Sequence, residues 1–131
     1  TGVQTCALPI SFSKLDSAKI LQVAAKYVGS PYVFGGETPL GFDCSGYVMF
    51  VYSQFGVALP HSVYQQSKLA KKIKPEDAVP GDIVVFNDYS HNGIYAGNGN
   101  FYHAPQRGDR VKLAPIPTER YYIIRLAEYA G

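Results

Sequence analysis

The sequence has no tryptophan, a single methionine and only two cysteines in 131 residues. Charge is thin as well: 17% of residues are charged and the net charge is +2. That balance gives no footing for nucleic-acid binding, which needs a concentrated basic face. It tolerates a polyanionic surface without requiring one. Long hydrophobic runs are missing too. None approaches the roughly 18 residues of a membrane-spanning helix, and no signal peptide is visible.

The cysteine count falls further on a close reading of the N-terminus. Residues 1–10, TGVQTCALPI, carry no charge, no helical period and no clear strand alternation. They resemble the translation of a sequencing-adapter oligonucleotide and are read as a non-native leader outside the fold. Residues 11–131 then form a single domain, and Cys44 is its lone cysteine. On this reading a Cys6–Cys44 disulfide and a CxxC-type zinc or redox site both drop out.

What is present suits one globular domain with a real core: 47% of residues are apolar, and there are 11 tyrosines. Residues 14–28 place Ile20, Val23, Ala24, Tyr27 and Val28 on one helical stripe, with Asp16 or Ser17 as cap and Gly29 and Pro31 as stop. GSPYVFGGETPLG reads as a turn-rich loop. A second helix starts near Asp43 or Cys44 and runs to Phe55, and LPHSVYQQSKLAKKI holds a short third helix opening at Ser62. After VPGD the period changes. DIVVFN, NGIYAG, NFYHAP, DRVKLAP and RYYIIRLAEY read as strands, and GNGN is the clearest hairpin turn. The expected fold class is α+β, with N-terminal helices packed on a central antiparallel β-sheet of about five strands.

Cys44, in GFDCSGYVMF, has two local readings. A free cysteine commonly packs as a small apolar residue. A cysteine in the first turn of a helix also sits where unpaired N–H groups stabilise an anion, which lowers a thiol pKa. Asp43 is placed to cap that helix, and Gly46 leaves room beside the sulfur. Local features leave the two readings open.

A nucleophilic thiol needs a base, and the base an orienting partner. The chain has three histidines: His61, His91 and His103. His91 opens one strand and His103 lies on the next, across GNGN. Pairing outward from that turn sets 91 opposite 106 and 103 opposite 94, so the two rings sit diagonally apart. One cysteine and two histidines on adjacent strands favour catalysis. A metal held by Cys44, His91 and His103 is the weaker reading, because no fourth ligand is obvious.

The ordered set of PYVFGG, FDCSGYVMF, LP, PGDIVVF, HNGIYAG and HAP resembles the NlpC-type peptidoglycan endopeptidases, a branch of the papain-like cysteine peptidases. The similarity runs from about residue 17 to 128. It implies a papain-like fold and hydrolysis of an amide in peptidoglycan stem peptides, most often between γ-linked D-glutamate and a diamino acid. It implies Cys44 as nucleophile, His91 as general base and later acid, and His103 as holder of the His91 ring. Tyr32 and the Cys44 N–H would donate to the oxyanion. Asp43 and Ser45 would contact substrate, and Gly35 and Gly36 would let its backbone approach. No metal or cofactor is implied. An extracytoplasmic monomer acting on the stem peptide is expected.

Three residues depart from that pattern: His61, where arginine or another polar residue is usual, Phe34 and Asn92. His61 is read as a solvated residue before a helix, with substrate contact as the alternative. Two other functions remain: a related amidase or transferase using the same triad, and a non-catalytic wall-binding module.

Overall fold

The computed structural model describes residues 16–126. The leader assigned to residues 1–10, and the first two residues expected in the N-terminal helix, lie outside that range. Helix α1 spans Ser17–Lys26. Asp16 caps it, Oδ1 accepting from Ala18 N–H at 2.8 Å. Ile20 and Ala24 are its buried residues. The helix stops before Val28, which is 46% exposed, because Gly29 takes φ 99°, a left-handed value that ends a helix.

The glycine-rich loop is more ordered than its composition suggested. It holds a two-stranded ladder, β1 (Glu37–Thr38) against β2 (Gly41–Phe42). Helix α2 follows at Cys44–Ser53 and is mostly buried, with Tyr47, Val48, Val51 and Tyr52 fully so. Tyr47 Oη donates to Ala24 O at 2.7 Å, tying α2 to α1. Helix α3 is only Val63–Ser67, opened by Ser62 Oγ accepting from Gln65 N–H at 3.2 Å.

The segment after α3 corrects the expected strand count. Ala70–Ile73 form β3, a strand hidden in a stretch that reads as helix. It pairs antiparallel with β8 (Tyr121–Leu126). Lysine, leucine and alanine favour a helix only weakly, and a ladder along a sheet edge overrides that preference. With β4 (Ile83–Phe86), β5 (Asn92–Gly97), β6 (Asn100–His103) and β7 (Lys112–Pro115), the described residues form a sheet of six strands in the order β3-β8-β4-β5-β6-β7. All its pairings are antiparallel, so the α+β class holds. No helix among the described residues is long and apolar enough to cross a membrane.

The sheet separates two apolar clusters. Ile83, Val85, Ile94 and Ile124 pack with α1 and α2, while Val84, Phe101 and Ile123 form a smaller cluster. Alternate residues of β4 fall in different clusters, as a strand buried on both faces requires. The site lies where α2 begins and β5 and β6 meet.

Candidate active site

Asp43 sets the direction in which Cys44 is presented. As N-cap of α2, its Oδ1 accepts from Gly46 N–H at 2.7 Å and its Oδ2 from Gly35 N–H at 3.1 Å. The Gly36 carbonyl accepts from Asp43 N–H at 2.9 Å. A Cβ on Gly46 would collide with that same carbonyl. Gly46 is therefore small because the loop backbone lies directly on the helix start. The space foreseen beside the sulfur is taken by the protein itself. Gly36 is closed in the same way by Gly41, whereas Gly35, at φ 76°, is a turn residue at which an added Cβ would meet open space.

Cys44 is a free, half-buried thiol. Burial pushes its pKa up, and the Asp43 carboxylate adds to the shift. The N–H groups of Ser45, Asn92 and Cys44 itself pull the other way without reversing it. The expected lowering at a helix start is therefore overturned: desolvation of a buried sulfur outweighs the helix N–H groups. The Asn92 contact also fixes the layout, since it brings the sulfur against β5 one residue past His91.

The two histidines meet. His91 Nε2 and His103 Nδ1 are 2.8 Å apart, with ring planes at 78°. Asn98 and Gly99 make the expected tight turn, at φ 56° and 78°, but Ala96 forms a bulge between the Tyr95–Phe101 and Gly97–Asn100 pairs. Beyond it the register differs by one residue from the expected one, and Gly93 comes opposite His103. A one-residue shift exchanges the faces of a strand. The bulge therefore puts His91 and His103 on one face, where unbroken pairing would have set them on opposite faces. Phe101 stacks on His103 at 4.0 Å, and Phe86 stands edge-on to His91 at 5.1 Å. Burial and the neighbouring His103 hold His91 down to about 4, and burial with nearby Lys112 does the same for His103. Both rings are neutral at neutral pH.

Tyr32 lies beside the thiol. Its backbone N–H donates to Asp109 O at 3.0 Å. Burial, then the charges of Cys44 and Asp43, raise the phenol pKa against the pull of Arg107, so the hydroxyl stays a donor. Ser45 is only 6% exposed. What it supplies is backbone: its N–H reaches the thiol and its carbonyl accepts from Gln66 Nε2 at 3.0 Å.

Gln66 belongs to a buried polar clamp that sequence reasoning missed. Its Nε2 also donates to Pro60 O at 2.8 Å, and its Oε1 accepts from Asn92 Nδ2 at 2.8 Å. One side chain thus joins the first turn of α2 to the start of β5. The signal was available: a helix opening at Ser62 puts Val63, Gln66 and Ser67 on one buried face. Asn92, noted as a departure, is the donor this clamp needs. His61, read as a solvated residue, is placed differently. Partly buried, it has both ring nitrogens engaged: Nε2 lies 2.7 Å from Asp43 Oδ1 and Nδ1 lies 3.0 Å from Glu37 Oε2.

Two clefts, of about 330 and 480 Å³, open near Phe86–Asp88 and Lys72–Pro75. None of the predicted site residues lines either. Among the described residues no group of three or more His, Cys, Asp and Glu side chains is placed to hold a metal.

Relatives carry the same domain. The chain is 48% identical over 110 residues to the γ-DL-glutamyl hydrolase of Bacillus subtilis, covering 79% of this chain and 26% of that protein. It is 31% identical over 125 residues to the γ-D-glutamyl-L-lysine dipeptidyl-peptidase of the same organism, covering 91% and 42%. The chain thus spans less than half the length of these relatives. The NlpC/p60 domain of the peptidoglycan hydrolase SagA superposes with a TM-score of 0.80 at 33% identity, covering 86% of this chain and all of that one. RipD of Mycobacterium tuberculosis, described as a non-catalytic NlpC/p60 domain protein, shares the fold at TM-score 0.73 and 24% identity, over 83% and 95% of the two chains. Fold alone therefore does not decide activity. The family's own pattern is matched from residue 29 to residue 128, across both the helix that bears Cys44 and the hairpin that bears the histidines, and the chain belongs to the NlpC/P60 family.

Proposed function

We propose that this chain is the catalytic domain of an extracytoplasmic cell-wall hydrolase. It cleaves the amide between γ-linked D-glutamate and a diamino acid in peptidoglycan stem peptides, as a monomer and without metal or cofactor. The observation that carries this reading is the His91–His103 contact at 2.8 Å. It occupies His91 Nε2 and leaves Nδ1 as the nitrogen to serve a thiol held against the neighbouring residue. Both Bacillus subtilis relatives are named for a γ-glutamyl bond, which supports the choice of amide.

The residues allow one balanced sequence of steps. Cys44 Sγ attacks the amide carbonyl carbon while its proton passes to His91 Nδ1. Because thiol and imidazole rest neutral, the proton moves as the S–C bond forms. His91 Nε2–H donates to His103 Nδ1, which holds the ring and its tautomer. The Tyr32 hydroxyl and the Cys44 N–H donate to the oxyanion. The imidazolium then protonates the leaving amine, the C–N bond breaks and a thioester remains. Water, deprotonated by His91, attacks the thioester. The glutamyl carboxylate leaves and the Cys44 thiol is restored.

The test is release of peptide fragments from purified peptidoglycan by the wild type and by Cys44→Ala. Loss of release in the variant, with a soluble fold retained, is expected. Turnover by the variant would exclude the thiol mechanism, and wall binding without release by the wild type would make the domain a binding module.

A further inference from the structure

His61 stands between two carboxylates with both of its ring nitrogens engaged. Nε2 is 2.7 Å from Asp43 Oδ1 and Nδ1 is 3.0 Å from Glu37 Oε2. An ionised carboxylate only accepts hydrogen bonds, so this geometry needs a donor on each nitrogen. Only the imidazolium has two. Glu37 comes from β1, and Asp43 is the N-cap of the helix that begins with Cys44. Among the described residues, these two carboxylates are the charges that shift His61. A neutral ring would set a lone pair against one of them, and that contact would open. Asp43 is the better held, with Gly46 and Gly35 also donating to it and 15% of its side chain exposed. Glu37 is 53% exposed and is the one to let go.

We propose that His61, as an imidazolium, is a positioning residue that locks Glu37 of the β1–β2 ladder to the Asp43 cap of the helix that bears Cys44. The inference rests on the hydrolase reading for its kinetic consequence but not for its titration. Burial opposes the charged ring, but the hydrogen bonds and charges of Asp43 and Glu37 prevail and raise its pKa above the ordinary 6.5. The lock is therefore closed at mildly acidic pH and opens as pH rises through that raised value. The other two histidines are held near 4. His61 is thus the histidine whose pKa is raised, while burial also pushes the Cys44 thiol and the Tyr32 phenol up from their ordinary values.

Two measurements test this together. The first is the pH profile of kcat/KM on a γ-D-glutamyl-diamino acid peptide for the wild type, His61→Gln and His61→Arg. The wild type should lose activity as pH rises from 6 to 9. His61→Gln, uncharged and with both N–H donors on one nitrogen, should be about tenfold slower at pH 6 with no decline in that range. His61→Arg keeps a permanent forked cation and should restore the rate at pH 6 without the decline. The same decline in wild type and His61→Arg would overturn the proposal. The second is NMR titration of the His61 ring in wild type and Glu37→Gln. A midpoint above 6.5 that falls in Glu37→Gln is expected, and a midpoint at or below 6.5, or one that Glu37→Gln leaves in place, would overturn it. A wild type that cleaves nothing at any pH would refute the hydrolase reading, and the titration would still decide the role of His61.

Discussion

His91 Nε2 and His103 Nδ1 lie within hydrogen-bond distance, and among the described residues no group bonds the buried Nε2 of His103. For His91 to act through Nδ1 it must donate from Nε2, so His103 carries its own proton on that buried nitrogen. An unsatisfied polar group of this kind costs about 1–3 kcal/mol. His103→Leu removes the unsatisfied group along with the acceptor. We expect kcat to fall by about 10²–10⁴ while urea stability drops by no more than ~1 kcal/mol. His103→Gln keeps an acceptor and should lose less activity. A large stability loss with unaltered kcat would mean the contact is only structural.

The same pair predicts how stability responds to acid. Both rings titrate near 4 in the fold, against an ordinary value of 6.5. Between those values the unfolded chain binds protons that the folded chain refuses, so stability rises with pH across the window and is lost as pH falls from 6.5 to 4. The change is on the order of a few kcal/mol for the pair. His61 acts above that window: its raised pKa adds stability that is present at mildly acidic pH and lost as pH rises through the raised value. Urea midpoints at pH 4, 5 and 6.5 should rise in that order, and His103→Gln should flatten the rise. A midpoint independent of pH over this range would contradict neutral buried histidines.

The sequence made some of this legible and hid the rest for physical reasons. Period and punctuation located α1, α2 and the strands of the meander because each buries a face and ends on glycine, asparagine or proline. Strand β3 escaped because Lys71 and Lys72 point outward and the flanking residues favour a helix, while its partner β8 is about 50 residues away in sequence. The resemblance implied the histidine contact, but the pairing register did not, for a subtler reason. Both residues were identified, but their shared face depends on the bulge at Ala96, a one-residue irregularity without a composition of its own. The direction of the Cys44 shift was misread because helix position is a local feature and burial is not. The Glu37–His61–Asp43 link joins residues with no common period.

Gly93 is the position opposite His103, and its missing side chain is what lets the rings close. A Cβ there would lie 2.6 Å from Phe101 Cδ2, 2.7 Å from Tyr102 O and 3.0 Å from His103 Cβ. The backbone oxygen cannot yield without moving the ladder. Gly93→Ala should therefore cost about 1–3 kcal/mol of stability and lower kcat more than KM by parting His91 from His103. A fully active, equally stable Gly93→Ala would show that the hairpin has slack the packing does not suggest.

The resting state of Cys44 can be measured directly. Had the helix start dominated, the thiol would alkylate at pH 6 faster than a small free thiol. Burial and Asp43 raise its pKa above 9.0 instead, and His91, held near 4, is a weak proton acceptor in the empty site. Iodoacetamide should therefore react with Cys44 more slowly than with a free thiol at pH 6. Its rate should climb through pH 9, because only the thiolate attacks. Asp43→Asn removes the opposing charge but keeps an oxygen for the cap, so its rate curve should move to lower pH. Fast alkylation at pH 6 in the wild type would show instead that thiolate and imidazolium already coexist before substrate binds.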